Sequence, residues 1–281
     1  MNPLSLPSTW LFGATSIVGF NLANLFPTTI YPFRSPGKSF SKVRGWPALH
    51  LDDPQWIHDL FRGNQPETLI YGHAVCDVPK CEANPNWAYE INVQHVQRTL
   101  EAVPSHTRFI YVSSDHVFGG DGTYNESSSP HPISAYGHTR VQAENLVLAR
   151  HNSLVIRIGL PIGASPNGRT GHFDWLRYRT HHNLPITIIK DEYRSAVQAT
   201  DLATRIMKLA HSQETGIRHI PATRAISRIE LANYLLERLD MAPSYKIESR
   251  HEQPVPHLGQ VELTTRFSGE LGHPLLSVVD H

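Results

Sequence analysis

The sequence predicts an α/β protein in which a doubly wound parallel sheet carries helices on both faces, followed by a smaller C-terminal lobe. Strand-like and helix-like segments alternate through residues 1–160. A turn bounded by Gly13 and Gly19 joins the first predicted strand to the first predicted helix. The 281 residues, of which 40% are hydrophobic, suffice for a substantial core, so a disordered chain is excluded.

The predicted elements are assigned in order from the spacing of apolar residues. Short β-branched or apolar runs indicate strands, and apolar residues three or four positions apart indicate helices. The expected strands are Thr9 to Phe12, Thr28 to Phe33, Leu49 to Asp53, Glu67 to Tyr71, Arg108 to Ser113 and Ser153 to Ile158. The expected helices are Phe20 to Phe26, Pro54 to Phe61, Pro85 to Val103 and Ala135 to His151.

The alternation becomes looser beyond residue 160, where glycine and proline are frequent. The clearest later helix is Ile226 to Leu239, for which Ser227 and Glu230 predict a capping box. We therefore expect a larger sheet domain over residues 1–160 and a smaller lobe over residues 161–281. Within that lobe, residues 195–210 are expected to return to the larger domain.

The composition excludes several classes of protein. Lysine plus arginine (25) equals aspartate plus glutamate (25), so the basic surface of a general nucleic-acid binder is not expected. The longest apolar runs are far shorter than the ~18–20 residues of a membrane span. The N-terminus has no signal-peptide pattern and the sequence contains only two cysteines, so we expect a cytoplasmic protein without a membrane partner.

The two cysteines do not predict a metal site. With His73 they give H-x2-C-x4-C, whereas structural zinc usually has four ligands and closer paired spacing. We read Cys76 and Cys81 as small loop residues and expect no bound metal.

The turn Gly13-Ala-Thr-Ser-Ile-Val-Gly19 has the pattern G-x-x-S-x-x-G between a strand and a helix. In this position, backbone N–H groups and the helix dipole can receive a pyrophosphate. The spacing differs from the common G-x-G-x-x-G, and an ordinary tight turn is the alternative interpretation.

The end of the second predicted strand concerns cofactor choice. Folds that bind NAD place a carboxylate there for the ribose 2′-hydroxyl, but this sequence reads Tyr31-Pro-Phe-Arg34-Ser35. Arg34 could instead form two hydrogen bonds with a 2′-phosphate, which favours NADP(H) over NAD(H). A solvated loop arginine is the alternative.

A serine hydroxyl, a tyrosine phenol and a fixed cation are expected to converge at the carboxyl edge of the sheet. Ser113 and Ser114 end a predicted strand, and Tyr136 and Arg140 are four residues apart on the next helix, so they share one face. Tyrosine has a pKa of ~10, and a nearby cation with a hydrogen-bonding serine could lower it by ~3 units, or ~4 kcal/mol. Such a phenol could protonate a carbonyl oxygen as hydride arrives.

These residues resemble the extended short-chain dehydrogenase/reductases, whose signature is a Ser/Thr, Tyr and Lys triad. The stretch Asp115-His-Val-Phe-Gly-Gly-Asp-Gly-Thr-Tyr-Asn-Glu126, with Pro130 and Tyr136-Gly, is similar to the dTDP-4-dehydrorhamnose reductase branch. Further matches lie at 75–82, 88–92, 199–203, 216–221 and 227–232. The resemblance covers nearly the whole chain and implies a dinucleotide-binding Rossmann domain over residues 1–160 and a substrate lobe after it.

The resemblance also implies a role for each matching residue. Ser114 would bind the substrate carbonyl, Tyr136 would donate the proton, and Arg140 would take the place of the lysine that holds the nicotinamide ribose. Asp115 would lie beside the sugar. The remaining predicted cofactor contacts are Gly13, Ser16, Ile17, Val18 and Gly19 at the pyrophosphate, Arg34 at the adenosine phosphate, Asp52 near the adenine, and His73, Ala74 and Val75 beside the cofactor.

Three functions follow from these interpretations. The first is NADPH-dependent reduction of a nucleotide-linked 4-keto-6-deoxysugar or related keto substrate, by a chain that could form a homodimer. The second is a non-catalytic or weakened nucleotide-binding regulatory subunit, which Arg140 and Ser16 favour because both depart from the family pattern; arginine cannot release a proton as lysine can. The third, an epimerase or dehydratase, is disfavoured because no glutamate follows Asp115-His116.

Overall fold

The computed structural model of the chain describes residues 6–37, 43 and 45–281. These residues form thirteen strands and nine α-helices. The strands are Thr9–Phe12 (β1), Ile30–Phe33 (β2), Thr68–Tyr71 (β3), Arg108–Ser114 (β4), Gly122–Tyr124 (β5), Ser153–Ile158 (β6), Leu160–Ile162 (β7), Thr187–Ile189 (β8), Tyr193–Gln198 (β9), Gly216–Ile220 (β10), Ala225–Ser227 (β11), Lys246–Glu248 (β12) and Gln260–Leu263 (β13). The α-helices are Ile17–Leu25 (α1), Pro54–Gly63 (α2), Val78–Ala83 (α3), Pro85–Tyr89 (α4), His95–Ala102 (α5), Ala135–Leu148 (α6), His172–His181 (α7), Ala199–Ala210 (α8) and Arg228–Leu239 (α9).

Six of the strands form one parallel sheet in the order β10-β6-β4-β3-β1-β2. Alternate side chains of these strands enter two separate cores. Leu11 and Ile70 pack in the core that contains α1 and α8, and Trp10 and Tyr71 pack in the core that contains α2, α5 and α6. Helices thus cover both faces, and the predicted doubly wound α/β fold is confirmed.

The predicted strand at Leu49 to Asp53 is wrong. Among the described residues, a single parallel bridge, between Arg34 and Ala48, joins this part of the chain to the end of β2. The backbone N–H of Arg34 donates to the Pro47 carbonyl and the N–H of Leu49 donates to the Arg34 carbonyl. Residues 51 and 52 form a turn and Asp53 caps α2, so pairing stops after this bridge.

The predicted helix Pro85 to Val103 is one helical run with an irregular centre. Its middle, Glu90–Gln94, is a π-helical turn between α4 and α5.

Only the serine half of the predicted capping box of α9 forms. The Ser227 side-chain oxygen accepts from the backbone N–H of Glu230 at 3.0 Å, while the Glu230 carboxylate binds Arg224.

A second sheet, in the order β11-β9-β13-β5, lies in the C-terminal half together with the pair β12-β8. Each sheet contains a strand from the other side of the boundary expected at residue 160. Strand β5 precedes this boundary and joins the second sheet, while β10 follows it and joins the main sheet. Helix α8 packs against α1. The domain division expected from sequence stays a prediction.

No helix in the described part of the chain is long and apolar enough to cross a membrane.

One ion pair is completely enclosed between β6 and α6. The Arg157 guanidinium donates to both carboxylate oxygens of Glu144, at 3.0 Å from Nε and 2.7 Å from Nη2, and both side chains are 2% exposed. The Ser113 hydroxyl donates to the same carboxylate at 2.5 Å. This network joins the ends of β4 and β6 to the helix that carries Tyr136 and Arg140.

We expect Arg157→Gln to lower the free energy of unfolding by about 3–5 kcal/mol, because it leaves the Glu144 carboxylate buried without a cation. Urea unfolding of the variant measures this loss. The double variant Glu144→Gln with Arg157→Gln should regain part of it, since neither position then carries a buried charge. A loss below ~1 kcal/mol, typical of an exposed pair, would contradict the assignment.

Candidate functional site

The glycine turn lies where the strand order of the main sheet reverses, between β1 and β3. Gly13 has a φ of +85°, and a Cβ there would lie 2.5 Å from the backbone nitrogen of His73. A Cβ at Gly19 would meet the Gly13 carbonyl oxygen at 2.4 Å. Both glycines therefore permit close approach of β1, α1 and the loop after β3. Crevices at such reversals are the usual ligand sites of doubly wound sheets.

Ser16 is turned back onto α1. Its side-chain oxygen accepts a hydrogen bond from the backbone N–H of Gly19 at 3.0 Å and caps the helix. The N–H groups of Ile17 and Val18 lie in the first turn, where helix geometry supplies no backbone acceptor. The serine that departs from the family pattern thus completes the helix end and leaves donors for an anion.

The end of β2 is hydrogen bonded to the glycine turn and to the loop after β3. The backbone N–H of Ser35 donates to the Thr15 hydroxyl at 3.2 Å, and the Ser35 hydroxyl lies 3.3 Å from Nδ1 of His73. The half-buried Arg34 is directed by a hydrogen bond of 3.0 Å from its Nε to the Trp46 carbonyl oxygen. Sequence reasoning missed Ser35, whose hydroxyl joins the end of β2 to the loop of His73.

The loop of His73, Ala74 and Val75 is fixed by Asn92 from the π-helical turn. The Asn92 side chain accepts from the backbone N–H of Val75 at 2.8 Å and donates to the Val75 carbonyl at 3.0 Å. It also donates to the Thr139 hydroxyl on α6 at 3.0 Å. A π-helical turn often marks a functional site. Here it joins the predicted cofactor loop to the helix of Tyr136.

Asp52 lies on the other side of this loop. Its Oδ1 is 2.8 Å from Nε2 of His95, and its side chain is 70% exposed. The His95 ring stacks on His73 with 5.7 Å between centroids, and burial lowers the pKa of His73 to about 3. Asp52, Glu90 and His95 offer three oxygen or nitrogen atoms within 4.8 Å of one another, although the hydrogen bond explains the pairing of Asp52 with His95. The adenine contact of Asp52 and the expected absence of a metal stay predictions.

Ser114 and Tyr136 meet at the carboxyl edge of the sheet. Ser114 ends β4, and Tyr136 lies in the first turn of α6, which Ser134 caps by accepting from the backbone N–H of Gly137 at 3.0 Å. Burial raises the pKa of Tyr136, although the positive charge of Arg140 and a hydrogen bond with Ser114 act to lower it. The expected lowering of this pKa is therefore wrong, because desolvation of the phenolate is the largest effect. At neutral pH the phenol keeps its proton and can act as a donor.

The Arg140 guanidinium is packed inside the protein beneath Tyr136. It is 3% exposed and donates to the Val112 carbonyl oxygen of β4. Its central carbon lies 4.6 Å from the centre of the Tyr111 ring and 5.8 Å from that of Tyr136. Within the described residues it has no carboxylate at ion-pair distance, and its Nε has no hydrogen-bond partner. Arg140 thus supplies an uncompensated positive charge next to the phenol.

Asp115 lies fully buried behind Ser114. The Ser114 hydroxyl donates to Asp115 Oδ1 at 3.1 Å, and Arg194 donates from Nε to Oδ2 at 2.8 Å and from Nη2 to Oδ1. The predicted contact of Asp115 with a sugar stays untested, and in this arrangement Arg194 occupies both of its oxygens. Sequence reasoning missed Arg194, which is 79 positions away on β9. Its one signal is a lone charge within a buried strand.

A cavity of about 380 Å³ opens in the C-terminal lobe between α7, α9 and β8. At its polar end, Arg228 Nε lies 3.1 Å from Glu192, and His257 Nδ1 lies 2.9 Å from the other oxygen of the same carboxylate. Burial opposes ionisation of Glu192, but Arg228, His257 and Arg194 outweigh it and hold its pKa well below the usual range. The apolar walls include Trp175, Leu176, Ile188, Leu231 and Leu235.

Comparison with known proteins gives one family and several similar chains. The family model described as RmlD substrate binding domain matches residues 8–262. Methionine adenosyltransferase 2 subunit beta from Xenopus laevis is 26% identical over 255 residues, which cover 86% of this chain and 73% of that protein. A dTDP-4-dehydrorhamnose reductase from Aggregatibacter actinomycetemcomitans is 25% identical over 195 residues, which cover 66% of this chain and 65% of that protein.

Among solved structures, the dTDP-4-dehydrorhamnose reductase of Bacillus anthracis in complex with NADP superimposes with a TM-score of 0.80. The two chains are 22% identical, and the superposition covers 96% of this chain and 94% of the other. At this identity the likeness shows the fold, which agrees with the parallel sheet described above.

Proposed function

The chain belongs to the RmlD substrate binding domain family, as its resemblance to the dTDP-4-dehydrorhamnose reductase branch indicated, and we propose that it is an NADPH-dependent reductase of a nucleotide-linked keto sugar. One observation carries the proposal: Ser114, Tyr136 and a buried cation meet at the carboxyl edge of the sheet, the edge at which β1 leads into the glycine turn. A protein that only binds a nucleotide does not need this pair of hydroxyls.

The residues present fit a dinucleotide. Gly13 and Gly19 let β1, α1 and the loop after β3 approach one another closely, and the first turn of α1 offers N–H groups to a pyrophosphate. Arg34 and Ser35 would hold an adenosine phosphate, and the rigid loop His73–Val75 would border the cofactor. When bound, NADPH supplies the hydride.

The chain's own residues then handle the keto oxygen. The Ser114 hydroxyl would donate a hydrogen bond to it, and the protonated Tyr136 would transfer a proton to it as negative charge develops. The Arg140 charge beside the phenol stabilises the phenolate that remains. The cavity in the C-terminal lobe, with apolar walls and a charged end, would take the nucleotide part of the substrate.

For cofactor choice, we expect wild type to prefer NADPH over NADH and Arg34→Ala to lose NADPH affinity by roughly ten- to a hundredfold. NADH affinity should stay within about twofold, since the adenosine 2′-hydroxyl cannot use the guanidinium charge in the same way. Titration of both cofactors by nicotinamide fluorescence measures this. Arg62→Ala, which removes an exposed arginine on α2, is the matched control. Equal affinities in wild type would refute the preference.

The proposed activity is tested by following NADPH oxidation at 340 nm with a panel of 4-keto-6-deoxysugar nucleotides. Turnover of at least one of them, lost in Ser114→Ala, supports the assignment. Cofactor binding without any turnover refutes it.

A second function is favoured by a separate observation. The match to methionine adenosyltransferase 2 subunit beta extends over 86% of this chain, further than the match to the reductase. The alternative is therefore a nucleotide-binding subunit of another enzyme. A chain that binds NADPH, reduces no keto sugar and changes the rate of a methionine adenosyltransferase would support this alternative.

A further inference from the structure

We propose that Arg194 is a positioning residue that makes the Ser114 proton available to a substrate, by holding the Asp115 carboxylate that would otherwise keep it. The inference rests on the role proposed above for Ser114. It adds a residue of the C-terminal sheet to a site that the sequence places in the N-terminal half.

The bond lengths around Asp115 support this role. Serine has one hydroxyl proton, and Ser114 donates it to Asp115 Oδ1 over 3.1 Å. Hydrogen bonds from a hydroxyl to an ionised carboxylate are usually ~2.5–2.7 Å long, so this one is weak. The stronger donor to this carboxylate is Arg194, whose Nη2 donates to the same oxygen while its Nε donates to Oδ2 at 2.8 Å. A proton held so weakly can turn to another acceptor.

Removal of Arg194 would change this balance. Asp115 is fully buried, and within the described residues its carboxylate accepts hydrogen bonds from Ser114 and Arg194. Without the guanidinium, the carboxylate would keep its charge only by binding the Ser114 hydroxyl more tightly. Serine would then be turned away from a carbonyl in the cleft.

Arg194 also joins this serine to the cavity. Its Nη1 lies 3.8 Å from Glu192, which binds Arg228 and His257 at the polar end. The charged and titratable groups near Ser114 and Tyr136 include Asp115, Arg194, Glu192, Arg228, Arg140, Cys76 and the neutral His116. Alternating charges thus run from the reacting serine to the cavity.

The chain contains a matched control for this arrangement. Ser113, Glu144 and Arg157 repeat the same groups one residue earlier: a serine hydroxyl donates, here over 2.5 Å, to a buried carboxylate that accepts three hydrogen bonds from a buried arginine. The side chains of both arginines are nearly enclosed, at 2% exposed for Arg157 and 6% for Arg194. Loss of either arginine leaves one buried carboxylate without its cation, but only the carboxylate held by Arg194 accepts a hydrogen bond from Ser114.

The first experiment compares Arg194→Gln, Arg194→Lys and Arg157→Gln in keto-sugar reduction. We expect Arg194→Gln to lower kcat at least thirtyfold with KM changed less than threefold, because the serine contact strengthens as charge develops on the oxygen. Arg194→Lys keeps the charge and should retain kcat within about tenfold, and Arg157→Gln should retain it within about threefold. Asp115→Asn combined with Arg194→Gln should recover part of the loss. Equal losses in Arg194→Gln and Arg157→Gln would overturn the proposal.

The second experiment does not need turnover, so it separates this inference from the proposed function. Ser114→Cys, made with Cys76→Ser to remove the exposed thiol, converts the hydroxyl into a group whose alkylation rate by iodoacetamide reports its ionisation. When Arg194→Gln is added, the uncompensated carboxylate should slow alkylation at pH 8 at least tenfold; adding Arg157→Gln instead should leave the rate unchanged. Equal alkylation rates with and without the Arg194→Gln substitution would overturn the inference, even if wild type reduces a sugar.

Discussion

Phenylalanine in place of Tyr136 is expected to lower kcat for keto-sugar reduction by ~10² to 10⁴ while NADPH affinity stays within a few-fold. The substitution removes the proton donor and keeps the ring that packs against His116 and Arg140. Because burial raises the pKa of Tyr136, the donor is protonated throughout the neutral range. The wild-type rate of reduction should therefore be flat near neutral pH and fall only as the pH rises past ~10, the usual pKa of tyrosine.

Tyr111→Phe is the matched control for this variant. Tyr111 is also fully buried and also contacts Arg140, but its hydroxyl has no hydrogen-bond partner in the described part of the chain. Loss of that hydroxyl should leave kcat within about twofold and should not lower the free energy of unfolding, because no hydrogen bond is lost. Turnover retained in Tyr136→Phe would place the chemistry elsewhere, and equal losses in both variants would indicate a packing defect.

The sequence predicts those parts of the site whose signals are local. Gly13 and Gly19 stand in one turn, Ser114 ends one strand, and Tyr136 and Arg140 share one helix face, so spacing alone predicts their neighbourhood. The strand Ser153–Ile158 follows the same logic and matches its prediction at both ends. In each case a short pattern determines a short-range geometry.

The rest depends on contacts between distant segments. Arg194 reaches Asp115 across 79 positions, and Asn92 binds Val75 through a π-helical turn that no periodicity predicts. The expected strand at Leu49 to Asp53 has a suitable pattern, but the chain turns before a ladder can form. The direction of the Tyr136 pKa shift was mispredicted because spacing reveals the nearby cation and not the extent of burial.

The other large effect is expected at Arg140, which distinguishes a reductase from a binding subunit. Methionine at this position keeps an unbranched stem and removes the charge. Burial then raises the Tyr136 pKa without the opposing charge of Arg140, so we expect Arg140→Met to lower kcat by ~10² or more. Its stability should be equal to wild type or higher, since a buried guanidinium without a carboxylate partner is costly. Reduced rate with undiminished stability would exclude unfolding as the cause.

Arg140→Lys is the decisive companion variant. An ammonium can still donate to the Val112 carbonyl and lie over the Tyr111 ring, and unlike arginine it can exchange a proton. In a working reductase we therefore expect Arg140→Lys to preserve kcat or raise it, measured as NADPH oxidation at 340 nm beside wild type and Arg140→Met. In a nucleotide-binding subunit, none of the three proteins should reduce a keto sugar, although NADPH affinity could differ among them. A wild type that turns over well but loses its activity in Arg140→Lys would contradict this account. The planar guanidinium would then be needed for its shape as well as its charge, because the lysine variant retains the charge.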